Sequence, residues 1–233
     1  YNFVDNHDVE RIYTKLNNKE HFVPVHILLY TLPGVPSVYY GSEFGIEGKK
    51  ERYSDDSLRP ALSLEDYEDA LEKNGCTRLI SALGKVRQKV RALSYGDYKE
   101  LALTNRQYGF ARNYNGESVI VVVNNDDSEA VMNLPAGAAT AYRDLLSGET
   151  VETVDGRINV RVGANSGGIW VPADTCEKDG APVFGGDFCE REDGGEVEKP
   201  GGREKDEEAE KSWIQGTAGE AEKPSAQETE GES

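Results

Sequence analysis

Long apolar runs are missing from this chain. No stretch approaches the roughly 18 apolar residues that a membrane-spanning helix needs, so no membrane partner is expected. Cysteine is scarce, with only Cys76, Cys176 and Cys189. An odd number, with no Cys-x-x-Cys pair or nearby His, argues for reduced thiols over a disulfide framework or a zinc site. Positive charge is also in deficit. Lys and Arg total 26 against 43 Asp and Glu, a net charge of −17. That excludes the basic face that nucleic-acid binding requires. There is no initiator Met at Tyr1, so the chain reads as the C-terminal part of a longer protein, and a signal peptide cannot be judged from it.

The deficit of apolar residues, 37% in all, is unevenly spread. Residues 173–233 hold 19 acidic against 7 basic residues, a net of −12, which leaves −5 for residues 1–172. This stretch is rich in Glu, Gly, Lys, Pro and Ser. It cannot bury enough apolar surface to offset the entropy of ordering, and a disordered acidic tail is expected. Trp213-Ile214 is an apolar spot in it that could touch a partner.

Residues 1–95 show the rhythm of a parallel sheet. A short strand is expected at 2–5, a buried helix over 19–31, and a buried strand over 35–40 that Gly41 ends. Pro24 belongs in the first turn of that helix or kinks it. Strand, helix and strand joined by short links form a βαβ unit. A polar stretch from Gly45 to about Ser63 follows, of a length usually functional or disordered. Residues 64–73 fit a short helix. Leu79, Ile80, Leu83, Val86, Val90 and Leu93 make one stripe of an amphipathic helix over 77–93.

The period then changes. Seven β-branched and aromatic runs follow, at 98–104, 109–114, 119–124, 130–134, 141–145, 158–162 and 167–171. Asn115-Gly116 is a strong hairpin signal between the second and third. Residues 96–172 are therefore expected to form an antiparallel β-sandwich.

The chemistry is concentrated at the start. Phe3-Val4-Asp5-Asn6 runs into His7-Asp8, the way a barrel enzyme presents polar groups at the C-terminal end of a strand. Taken alone, the pair could equally be a strand-end Asp capping a helix with His7 beside it. Arg11 fits an ion pair near that site or a cap on the next helix, with the structural role favoured. Arg59 and Asp56, on the long loop, fit either a ligand contact or a loop salt bridge worth little at a surface.

Phe3-Val4-Asp5-Asn6-His7-Asp8 closely resembles the seventh-strand motif of the α-amylase family of glycoside hydrolases. Residues 32–43, Leu-Pro-Gly-Val-Pro-Ser-Val-Tyr-Tyr-Gly-Ser-Glu, resemble that family's eighth-strand motif, with one helix between the two as in the family. A sandwich directly after the last barrel helix is a third similarity. The resemblance covers residues 1–172 and is nearest to neopullulanases, cyclomaltodextrinases and maltodextrin glucosidases.

The resemblance implies an α/β fold class. Residues 1–95 would be the last two strands and helices of a (β/α)8 TIM barrel, and 96–172 its appended sandwich. It implies a retaining hydrolase of α-1,4 links in maltodextrin, cyclodextrin or pullulan, with an α-glucan oligosaccharide as substrate partner; no cofactor or metal ligand is assigned from the sequence, and a calcium site stays open. Asp8 would be the third carboxylate, the transition-state stabiliser. His7, Arg59 and Asp56 would bind sugar. The nucleophile and acid/base would lie upstream of Tyr1, leaving the chain alone inactive. Glu43, which ends the eighth strand, is expected to be structural. His21 and His26 are expected to be packed or surface residues, and Tyr39 and Tyr40 strand packing. A homodimer of the intact enzyme stays open, and the subgroup implies a bacterial cytoplasmic location. Two other readings compete: a non-catalytic amylase-like interaction domain, and a carbohydrate-binding module over 97–172.

Overall fold

Five consecutive β-branched residues, Val119 to Val123, have no polar face to offer solvent. Such a run belongs in a strand buried on both sides. The computed structural model, which describes residues 1–175, places it so. The acidic tail from Cys176 onward, with Cys189, Trp213 and Ile214, lies outside the described residues.

Eight strands make the sandwich: β1 (Asp97–Leu103), β2 (Gln107–Tyr114), β3 (Glu117–Asn124), β4 (Ala130–Pro135), β5 (Ala141–Asp144), β6 (Thr150–Glu152), β7 (Arg157–Val162) and β8 (Ser166–Pro172). One sheet runs β1-β2-β3-β8-β5-β6 and the other pairs β4 with β7. Every pairing within these sheets is antiparallel. The β2–β3 hairpin turns at Asn115 (φ 51°) and Gly116 (φ 83°), with Tyr114 opposite Glu117. Two positive φ values are what a type I′ turn demands, and Asn-Gly supplies them at least cost.

The six-stranded sheet is covered on both faces. Ile120, Val122 and Trp170 face the small sheet, packing with Met132, Leu134, Tyr142, Ile158, Val160 and Val162. Val119, Val121, Val123, Ile169 and Val171 face the helices, against Phe22, Ile27, Leu79, Leu83 and Val86. The helices are α1 (Ile12–Lys15), α2 (Phe22–Thr31), α3 (Ala70–Lys73), α4 (Gly75–Lys89) and α5 (Arg91–Tyr95). Pro24 sits at the third position of α2, where its missing N–H costs nothing. Two arginines close the other end of α2. Arg87 donates to Tyr30 O (2.6 Å) and Gly34 O (2.6 Å), and the buried Arg112 to Thr31 O (2.7 Å). Cations at a helix C-terminus satisfy orphan carbonyls and oppose the dipole.

The expected elements of the first 95 residues are present in reduced form. The strands expected at 2–5 and 35–40 meet at a single parallel bridge, Asn2 with Pro36. Asn2 N donates to Val35 O and Ser37 N to Asn2 O, both at 2.8 Å. No further backbone hydrogen bond joins these two segments among the described residues. The helix expected over 64–73 splits into a 3-10 turn (Leu64–Tyr67) and α3. The helix expected over 77–93 breaks at Val90 (ψ 93°), and α5 resumes from Arg91. No helix among the described residues is long and apolar enough to cross a membrane.

His26, on α2, is fully buried and stacks on Phe22 with ring centroids 3.8 Å apart. Its Nδ1 lies 2.8 Å from Phe22 O and so carries the proton, leaving Nε2 without a partner. Burial lowers its pKa to about 4, against the carbonyl of Phe22 and the charge of Asp5. The unfolded imidazole takes its proton near pH 6.5 and the folded one near 4. Stability is therefore full above about pH 6.5 and falls through that window on acidification, by up to about 3 kcal/mol. His26→Leu should flatten the dependence of the urea midpoint on pH between 6.5 and 4. An unchanged slope in His26→Leu would place the acid sensitivity elsewhere.

Candidate functional site

The parallel bridge delivers Asp5, Asn6, His7 and Asp8 to one end of the described residues. Asn6 shapes the turn: its Oδ1 accepts from Asp8 N (2.8 Å) and Val9 N (3.1 Å). This side-chain turn holds His7 and Asp8 outward, with 58% and 62% of their side chains exposed. His7 Nε2 lies 3.3 Å from Asp8 Oδ2.

Capping falls to a different carboxylate. Asp5, 1% exposed, accepts from Ile12 N at the start of α1 (2.9 Å) and from Ser42 Oγ (2.8 Å). Asp8 thus escapes the capping role that its position after a strand allowed. Its other oxygen faces the guanidinium of Arg59, Nη2 to Oδ1 3.3 Å, across 51 residues of chain. Arg59 Nε also donates to His7 O (3.2 Å). The same Nη2 reaches Asp55 Oδ2 at 3.3 Å. Lys50 pairs with Asp55 as well, and that bond, joined by the charges of Lys50, Arg59 and His7, holds the Asp55 carboxyl below the usual carboxylate range.

His7, Asp8 and Arg59 are therefore brought together. Asp56 is not: it is exposed, starts the 3-10 turn Asp56–Leu58, and donates its backbone N–H to Ser54 Oγ (3.1 Å). Asp55 holds the position beside Arg59 that was expected of Asp56. A spacing of four residues, Asp55 to Arg59, was the signal for it.

Arg11 takes the favoured structural role: it is the N-cap residue of α1, its carbonyl accepting from Lys15 N (3.1 Å), while its side chain makes no capping bond to the helix. It is fully buried, and Nη1 donates to Tyr40 O (2.5 Å) and Ser42 Oγ (3.3 Å), while Nη2 donates to Leu58 O (2.9 Å). Its guanidinium lies 4.3 Å from the Tyr39 ring centre and 5.1 Å from that of Tyr40. Glu43 turns inward beside α4, with its carbonyl accepting from Thr77 Oγ1 (2.8 Å). His21 lines a polar cavity of about 130 Å³ with Asn18, Arg106 and Asp126, at the turns of the sandwich. Burial pushes the free Cys76 thiol up to about 11, which makes it a packing residue and a poor nucleophile. No group of three metal-ligating side chains exists among the described residues. Trp170 is 2% exposed and offers no stacking platform on the sandwich surface.

Residues 98–169 match the family model for the Maltogenic Amylase, C-terminal domain. The chain is 31% identical over 135 residues to a cyclomaltodextrinase of Thermoanaerobacter pseudethanolicus, covering 58% of this chain and 22% of that protein. It is 26% identical over 165 residues to neopullulanase 2 of Thermoactinomyces vulgaris, covering 69% and 27%. An Anoxybacillus α-amylase of known crystal structure superposes with a TM-score of 0.56 at 25% identity, covering 72% of this chain and 37% of that one. The chain spans about a quarter of the length of these two curated relatives.

Proposed function

We propose, from the match of residues 98–169 to the Maltogenic Amylase, C-terminal domain and the similarity of this chain to a cyclomaltodextrinase and a neopullulanase, that it is the C-terminal part of a retaining α-glucan hydrolase of the α-amylase family. On this reading residues 1–95 close the last two units of a (β/α)8 barrel. The sandwich buttresses that barrel through α2 and α4. The substrate is an α-1,4-linked oligosaccharide such as maltodextrin, cyclodextrin or pullulan.

The observation that carries the reading is the freedom of Asp8. Its carboxylate is exposed in the turn shaped by Asn6 and, among the described residues, caps no helix and meets only the side chains of His7 and Arg59 within bonding distance. Such a group can accept from sugar hydroxyls. Retaining glycosidases pass through an oxocarbenium-like state, with nucleophile and acid/base about 5–5.5 Å apart. A fixed carboxylate bound to ring hydroxyls gains strength as positive charge develops on that ring. Arg59 holds the Asp8 carboxylate aimed, Nη2 to Oδ1 3.3 Å, and His7 adds a donor or acceptor at the same sugar. The nucleophile and acid/base belong to earlier strands, so residues 1–233 alone do no chemistry.

The test is hydrolysis of maltotriose by purified residues 1–233 beside the complete protein. We expect glucose and maltose from the complete protein and none from residues 1–233. Turnover by residues 1–233 would contradict the assignment of the missing carboxylates to upstream strands.

A further inference from the structure

We infer that Arg11 is the positioning residue that sets Arg59 against Asp8. This deepens, and rests on, the reading of His7, Asp8 and Arg59 as a sugar site. Arg59 rides on a polar loop that the fully buried Leu58 anchors just before it. Its path is fixed from beneath by Arg11. One arm of the guanidinium donates to Leu58 O (2.9 Å), the residue before Arg59, and the other to Tyr40 O (2.5 Å), in the turn that follows the bridge segment. The backbone N–H of Arg11 donates to Gly48 O (3.0 Å), near the start of the same loop. A Cβ at Gly48 would stand 2.9 Å from Arg11 Cγ and 2.4 Å from Ser57 O, so loop and side chain are in direct contact there.

Arg11 therefore ties three segments together: the His7–Asp8 turn, three residues before it in sequence, the turn at Tyr40, and the Arg59 loop. The task calls for arginine. Its planar fork donates in two directions at fixed angles, whereas a lysine offers a single point of charge on a flexible stem. Charge balance comes indirectly, because Ser42 Oγ accepts from Arg11 (3.3 Å) and donates to Asp5 (2.8 Å). With Arg11 buried and Asp5 bonded to Ile12 N, the exposed Asp8 and Arg59 stand on a rigid base.

The test is a double-mutant cycle on kcat/KM for maltotriose in the complete enzyme, crossing R11K with R59A. Coupled residues are non-additive by roughly two- to a hundredfold. We expect R11K to lower kcat/KM by about tenfold when Arg59 is present and by less than about twofold in the R59A background. Should R11K not fold, G48A serves in its place, because it presses on the same contact between Arg11 and the loop. Equal losses in both backgrounds would overturn the inference and make Arg11 a stability residue only. If D8N and R59A themselves leave kcat/KM unchanged, the sugar-site reading fails, and the inference with it.

Discussion

Asp8→Asn in the complete enzyme is expected to lower kcat by about 10²–10³-fold, the worth of one transition-state-selective hydrogen-bonding group. The substitution keeps the shape of the side chain and removes its charge. Binding of the ground-state sugar depends little on that charge, so KM should move far less than kcat. A carboxylate matched to a developing oxocarbenium ion acts on the barrier, and loss of such an interaction falls on kcat and kcat/KM together. The structure sharpens the expectation. Were Asp8 a helix cap, Asn would replace it with little loss. Asp5 holds that role instead, through Ile12 N. Asp8→Asn should accordingly leave the melting temperature within a degree or two while activity collapses. An unchanged kcat would make the exposed cluster a surface ion-pair network and nothing more.

Asp144→Ala is expected to cost about 3–5 kcal/mol of stability, because it strands buried donors and removes charge-assisted bonds. Asp144 is 3% exposed at the end of β5. Its Oδ1 accepts from Ile169 N (2.7 Å) and Leu146 N (3.3 Å), and its Oδ2 from Ser147 N (2.9 Å) and Ser147 Oγ (2.6 Å). Burial pushes its carboxyl up, opposed by the bonds from Ser147, Ile169 and Leu146. One side chain thus closes the turn after β5 and pins it to β8, in the middle of the large sheet. Asp144→Asn keeps one acceptor oxygen but turns an NH₂ toward other donors, so it should lose an intermediate amount. The check is thermal unfolding of residues 1–233. For a chain of this size the alanine variant should melt about 10 °C lower or more. A loss under about 1 kcal/mol would show that water replaces the carboxylate, which its burial argues against.

Much of the sandwich was legible in the sequence because its strands are dense in β-branched residues and its tightest hairpin is marked by Asn115-Gly116. The strand β6 was not, since Thr150–Glu152 is three residues long with one apolar side chain. What the run Val119–Val123 could not disclose is which layer lies on which face. That depends on α2 and α4, from a different part of the chain. The first pair of strands shows the converse. Residues 2–5 and 35–40 carry strand-like side chains, yet a ladder also needs backbone partners along its length, and among the described residues the two segments pair only at Asn2 and Pro36. At the site, His7 and Asp8 were legible from their place after a strand. The contact of Asp8 with Arg59 was not, because nothing local links residues 51 apart. Asp56 and Asp55 are neighbours in sequence, and only the turn of Asp56–Leu58 decides which one meets Arg59. Arg11 stood out as a charge near the site, but a buried fork bonded to two backbone carbonyls leaves no signature in composition or period.

The central claim is that this chain completes a barrel whose catalytic carboxylates come earlier. The direct measurement is to sequence the gene upstream of the Tyr1 codon across one barrel, about 250 residues in total. The account predicts an Asp at the end of a fourth strand and a Glu at the end of a fifth, both in frame. A start codon immediately before Tyr1, or an upstream barrel without those two carboxylates, would contradict it.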